Sequence, residues 1–259
     1  MNPLLATRPG RVSRPFRAAA TLLAAVLAVT VLSLVGGARP ASAVTAAPEG
    51  IDVYHGNGVI DWGQVRAAGI DFAFIKTTEG NYYTDDQFSA NYTGAYNAGI
   101  IRDAYHFARP DEPAAEQVDF FLSHGGGWSA DNLTLPGMVD LEYNPYGETC
   151  YGLSQGDMVS WIHQFVDGYQ AATGRYPIIY TATNWWNQCT GGSGDFASQT
   201  PLFLVDLDGG VEMPGGWGSF PWSFRQYDWH GSVAGIPSEV DRDVWNGDYA
   251  GLQRLANGG

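Results

Sequence analysis

The chain has 259 residues, 45% of them hydrophobic and 14% aromatic, with 27 Asp and Glu against 13 Lys and Arg. That length suffices to bury a large core. A formal net charge of −14 argues against nucleic acid or an anionic membrane as partner, because both are bound through basic patches.

The N-terminus is set apart from the rest. Arg8, Arg11, Arg14 and Arg17 precede an Ala/Leu/Val-rich run from Ala18 to Val35, and Ala41-Ser42-Ala43 follows. A basic stretch, an apolar stretch and a small-residue cleavage site make a secretory signal peptide. A transmembrane anchor is the competing interpretation of the apolar run, and the Ala-x-Ala ending favours cleavage. The expected organisation is a signal peptide over 1–43, a short linker over 44–49 and one barrel domain over 50–259. The mature chain then carries 8 basic and 27 acidic residues, a net charge of −19, and is expected extracellularly with no membrane association. Its one lysine is Lys76. Cys150 and Cys189 are the two cysteines. In an exported chain they predict one disulfide, and without a flanking His pattern they do not make a zinc site. No metal or other cofactor is expected.

Strand-like and helix-like segments alternate in chain order. Gly50–Val53 is a first strand. Asp61 caps a short helix with Gln64 in the capping-box position, and Gly69 stops it. Phe72–Lys76 is a second strand, Phe88–Ala98 a helix by its apolar spacing, and Ile100–Phe107 a third strand. Pro113–Leu122 is a helix with Pro near its first turn. The run Pro136-Gly-Met-Val-Asp140-Leu-Glu142 is the central strand. Ser154–Ala172 is the strongest helix, with Met158, Trp161, Ile162, Phe165, Val166 and Tyr169 at three- and four-residue spacings, a stripe expected in the core. After Ile178–Thr181 regular helices fade. Leu202–Val205, Phe224–Tyr227 and Val240–Val244 are strands joined by Gly- and Trp-rich loops. The fold class is α/β, an irregular TIM-like β/α barrel with helices missing in its C-terminal third.

Barrel active sites sit at the C-terminal ends of strands. Asp52, Lys76, His106, Asp140 with Glu142, Tyr180, Gln226 and Asp241 fall at or near such ends. Asp140 and Glu142 at i and i+2 of one strand point to the same face, with Cα atoms about 6.6 Å apart. Two close carboxyls raise the pKa of one of them. A protonated carboxyl beside an ionised one is what glycoside hydrolysis needs. Trp185, Trp186, Trp217, Trp222 and Trp229 are placed in loops, about half as core and the rest as sugar-stacking faces.

Asp52-Val, Phe72-Ala-Phe-Ile-Lys76-Thr-Thr-Glu79-Gly80, Ala104-Tyr-His-Phe107, Asp140-Leu-Glu142 and Val240-Asp241 together resemble the signature of glycoside hydrolase family 25 lysozymes, the Chalaropsis type, over essentially all of residues 50–256. The resemblance implies an N-acetylmuramidase that cuts the β-1,4 bond between N-acetylmuramic acid and N-acetylglucosamine, with bacterial peptidoglycan strands as partner. It implies Glu142 as general acid/base, Asp140 as its carboxylate partner, Asp52 and Asp241 as the other two acidic positions, and Lys76, Glu79, Tyr105, Tyr180 and Gln226 as groove-lining residues. From the residues, Asp140 is expected ionised, Glu142 raised chiefly by charged neighbours, and Lys76 is expected to keep carboxylates including Asp52 ionised. The sequence departs from the family pattern at Tyr54, where a small hydroxyl is usual, and at Gly56, which removes an aromatic wall. Two alternatives stand beside the lysozyme: a glycan-binding protein on the same scaffold, and a hydrolase of another amino-sugar polymer such as chitin. A monomer is expected.

Overall fold

The computed structural model describes residues 46–218 and 220–259; the expected signal peptide lies outside them. The order of elements is β1 (Glu49–Val53), α1 (Trp62–Ala67), β2 (Ile70–Glu79), β3 (Tyr83–Thr84), α2 (Phe88–Asn97), β4 (Ile101–Phe107), α3 (Ala114–Ser123), β5 (Met138–Leu141), α4 (Gln155–Thr173), β6 (Ile178–Ala182), α5 (Thr183–Thr190), β7 (Leu202–Val205), β8 (Phe224–Gly231), β9 (Val240–Trp245) and α6 (Tyr249–Ala256). Glu49 already belongs to β1, and the Pro48 carbonyl accepts from Trp245 N–H. The barrel therefore begins within the segment expected to be linker.

Eight strands close in the order β1-β2-β4-β5-β6-β7-β8-β9, with β9 returning to β1 and the short β3 paired to β2 outside the ring. Seven run parallel. β9 is antiparallel to both β8 and β1, a departure from the all-parallel barrel. An antiparallel neighbour needs only a hairpin-type connection, whereas a parallel one needs a crossover. The missing helix before β9 follows from that reversal.

Alternation along the strands sorts the core into an inner and an outer part. Phe72, Phe74, Ile101, Met138, Ile178, Phe203 and Phe224 fill the barrel interior, and Leu252 and Ala256 of α6 join them. The opposite strand faces meet the helices. All six stripe residues of α4 are buried, as the spacing predicts. Phe165 is fully buried among them, and truncating such a ring to Ala costs about 3–5 kcal/mol. Ser154 caps α4 by accepting from Asp157 N–H, and Gly174 ends it at φ 75°. Asp61 caps α1 through the Gln64 N–H.

Two helices escape the sequence pattern. α5 contains Trp185 and Trp186, expected in a loop; both are fully buried against α4 and the segment around Phe196, and Trp217 is buried with them. α6 places Leu252 and Ala256 against the interior cluster. Cys150 and Cys189 are joined, with Cα atoms 5.3 Å apart, tying the loop after β5 to the end of α5.

Candidate active site

The polar residues named from strand ends gather at one mouth of the barrel. Asp52, Lys76, Tyr105, Asp140, Glu142, Tyr180 and Asp241 line one cavity of about 210 Å³ with Tyr54, Phe107 and Met138. Strand register brings them together: Asp52 pairs with Asp241, Lys76 with Tyr105, and Asp140 with Tyr180. Because β9 is reversed, Asp241 arrives from near the start of its strand rather than the end. His106 does not join them. It faces outward, bonded to Thr78 Oγ1 (2.8 Å) and Gln117 Oε1 (2.9 Å) and stacked on Phe165. Burial lowers its pKa to about 4, so it is a neutral core residue.

Gln226 organises one side of the cavity. Its Oε1 accepts from Tyr180 OH (2.9 Å) and Trp229 Nε1 (2.8 Å). With the oxygen occupied by two donors, Nε2 must point the other way, and it donates to Asp52 Oδ2 (2.6 Å) and Asp241 Oδ2 (3.3 Å). The two carboxyl groups thus meet at one amide, and a proton shared between them raises Asp52 and lowers Asp241. Burial, then the charges of Asp243 and Asp241, push Asp52 well above the usual carboxylate range, with Gln226 opposing. Burial lifts Asp241 to about 6, its bond from Asp52 pulling it back. Together they form an acid–carboxylate pair.

Lys76 organises the other side. Its Nζ lies 3.1 Å from Glu79 Oε2 and 4.8 Å from the Phe107 ring centre. Glu79 is held in turn by Tyr146 OH (3.0 Å) and lies 3.9 Å from Arg109 Nη1. Lys76 lowers the pKa of Glu142 and Asp140. Its expected hold on Asp52 is not what the structure shows: burial and neighbouring acids govern that group, and Gln226 relieves it.

Asp140 and Glu142 stand between these two sides. Burial first lifts Glu142 to about 7; Lys76 opposes, and Asp241 and Glu79 add repulsion. Desolvation, rather than charged neighbours, is thus the chief cause. Asp140 is 5% exposed, and burial followed by the Glu142 charge pushes it well up. An Asp140 that is ionised throughout is therefore not supported: the pair retains a proton through the acidic and into the neutral range. Asp140 Oδ1 is buried with no hydrogen-bond partner among the described residues.

Two further basins open beside this cavity. One, of about 350 Å³, includes Glu142, Tyr143, Tyr180, Asn184, Leu207 and Trp229 in its walls. The other, of about 440 Å³, is lined by Asp52, Tyr54, Gly56, Asn57, Trp229, Ser238, Glu239 and Asp241. Exposed Tyr54, Tyr143, Leu207 and Trp229 give this mouth apolar faces over acidic floors, the arrangement that suits sugars. A larger open depression of about 710 Å³ around Val59, Trp62 and Ile236 contains one carboxylate, Asp61, already used as a helix cap, and holds no comparable chemistry.

Tyr54 explains its own substitution. A Cβ built at Gly56 would lie 2.3 Å from Tyr54 Cζ, so the Tyr54 ring occupies the space of a position-56 side chain. The aromatic wall that Gly56 lacks is supplied from two residues away.

Residues 51–236 match the model of the glycosyl hydrolases family 25. The chain belongs to that family. Among its family 25 relatives, Lysozyme M1 of Streptomyces globisporus is 51% identical over 215 residues, covering 82% of this chain and 72% of that protein. An N,O-diacetylmuramidase of Chalaropsis sp is 41% identical over 216 residues, 81% and 99% of the two chains. A bacterial lysozyme structure from Streptomyces coelicolor superposes with a TM-score of 0.80 at 49% identity, covering 83% of this chain and 99% of that one. The family and these relatives make this chain a peptidoglycan-hydrolysing muramidase, and the glycan-binding and chitin alternatives fall away.

Proposed function

We propose that Glu142 is the general acid/base of this muramidase and that Asp140 holds the substrate's 2-acetamido group so that its oxygen attacks the anomeric carbon. The observation that carries the assignment is Asp140 Oδ1. A buried carboxylate oxygen without a partner is costly, and an amide N–H supplied by N-acetylmuramic acid satisfies it. Glu142 gives its proton to the glycosidic oxygen as the C1–O bond breaks. The acetamido oxygen closes on C1, and its N–H bonds to the Asp140 carboxylate. Water then adds to C1 from the face the leaving group vacated, the bond from C1 to the acetamido oxygen breaks to restore the acetamide, and the water's proton passes to Glu142, which regenerates the acid with net retention. The acid–carboxylate pair of Asp52 and Asp241 holds negative charge beside the positively charged, oxocarbenium-like centre. Lys76 restrains the pKa of Glu142 so that the group also works as a base.

The protein acts outside the cell, released by removal of residues 1–43. The signal pattern supports this, as does a disulfide, a bond favoured in oxidising compartments. Exported protein should begin at Val44, as N-terminal sequencing would determine. The catalytic assignment is tested by Glu142→Gln, which keeps shape and loses the transferable proton. It should bind peptidoglycan and fail to clear it; clearing near the wild-type rate would remove Glu142 from the role.

A further inference from the structure

The 440 Å³ basin shares Asp52 and Asp241 with the reacting centre, but its other walls, Asn57 and Trp229 among them, take no part in the steps above. Tyr54 and Trp229 are 45% and 50% exposed. Trp229 is held by a hydrogen bond and Tyr54 packs over Gly56. Tyr54 lies over Gly56, its backbone N–H is tied to Asn57 Oδ1 at 2.9 Å, and its ring meets that of His55 edge-on at 5.0 Å. Trp229 is anchored through its Nε1 to Gln226 Oε1. Asn57 is committed too, donating to Glu239 O and Ser238 Oγ, which fixes the basin's far side. Aromatic faces already held in place lose little freedom on binding, and carboxylates on the floor accept hydroxyl protons.

We infer that Tyr54 and Trp229 form an aromatic clamp for one N-acetylhexosamine ring of the glycan strand, seated in the basin beside Asp52 and Asp241 and separate from the ring attacked at Glu142. The bland alternative for Tyr54 is a plug that fills the space left by Gly56. A plug has no need of an exposed face on the same basin as an anchored indole. The inference rests on the proposed function in taking a peptidoglycan strand as ligand and Glu142 as the acid. It adds a specificity site. Trp229 also lines the basin that contains Glu142 and donates to the amide that holds Asp52 and Asp241, so the clamp borders the reacting centre.

The test is calorimetric titration of a soluble, uncrosslinked peptidoglycan hexasaccharide into Glu142→Gln, alone and combined with Tyr54→Ala, Tyr54→Phe or Trp229→Ala. Losing one stacked face should weaken Kd about threefold to tenfold for each Ala variant, with Tyr54→Phe within threefold of its parent. Tyr54 is exposed, so its replacement leaves the fold intact, and circular dichroism checks this for all variants. A weakening of less than threefold at either Ala position overturns the clamp, as does a Tyr54→Phe loss equal to that of Tyr54→Ala. If Glu142→Gln still cuts the strand, the acid assignment fails by itself. The clamp is then read from KM of Tyr54→Ala and Trp229→Ala in the otherwise unaltered protein, by the same threefold criterion.

Discussion

Replacing Glu142 by Gln should make the protein more stable, and only at neutral to alkaline pH. Burial moves this carboxyl from an ordinary 4.5 to about 7. The folded state therefore holds the proton more tightly than the unfolded chain. That contribution is fully present below pH 4.5 and is lost as pH rises through about 7. At about 1.36 kcal/mol per pH unit, the displacement corresponds to about 3.4 kcal/mol. Gln cannot ionise and escapes the loss. Wild type and Glu142→Gln should melt together near pH 4, separate between pH 5 and 7, and differ above pH 7.5 by up to about 3 kcal/mol, or roughly 6–12 °C for a domain of this size. The Asp140 response adds in the same direction, because the Glu142 charge helps to raise it. Differential scanning calorimetry of both proteins from pH 4 to 9 measures the gap. A gap that does not change with pH would refute the reasoning, since the two proteins differ in the ionisation of one buried group.

Other outcomes follow from the same geometry. Because Glu142 titrates at about 7 and must be protonated to act, kcat/KM on soluble glycan strands should fall above that pH, approaching tenfold per unit; a plateau up to pH 9 would remove it as the acid. The bridge Cys150–Cys189 closes a span of 39 residues, so Cys150→Ala/Cys189→Ala should lose about 4 kcal/mol in urea unfolding on the chain-entropy account. Early-turnover proton NMR of the new reducing end should show the β anomer first if the acetamido oxygen attacks, whereas an α anomer at first appearance would require water to attack directly.

Much of the site was legible because strand alternation is a strict rule. Asp140 and Glu142, expected on one face, line one cavity although β5 ends at Leu141, and apolar runs marked β1, β2, β6 and β8 as strands. Three things were not legible. The reversal of β9 leaves no mark in a six-residue segment, since strand direction depends on pairing rather than on side-chain order. The outward face of His106 depends on the phase of β4: Ile101, Asp103 and Tyr105 point inward, so residue 106 cannot. α5 was hidden because Trp185-Trp186-Asn187-Gln188, ahead of Gly191-Gly192, gives a weak apolar pattern; its burial comes from α4 packing over it. The cause of the raised Glu142 pKa was likewise beyond a linear argument, because desolvation depends on the walls, which only the closed barrel supplies.

Those walls also explain why so many acids can share one barrel. Asp103 and Asp243 lie on the inward faces of β4 and β9, beneath the mouth, and both are fully buried. Burial pushes both well above the usual carboxylate range; Met138 N–H opposes this at Asp103, while the Asp241 charge adds to it at Asp243. In both, burial favours the protonated form. Negative charge on Asp243 is one of the causes that raise Asp52, so a proton held at Asp243 relieves that repulsion. A lower layer in which burial favours protons leaves more of the negative charge to the mouth, where Lys76, Gln226 and solvent can moderate it. Desolvation thus favours the protonated form of all these acids, and the partly buried Asp241 and Glu142 are lifted to about 6 and about 7. Glu142, lifted to about 7 by burial and restrained by Lys76, can both donate and accept a proton in a single turnover.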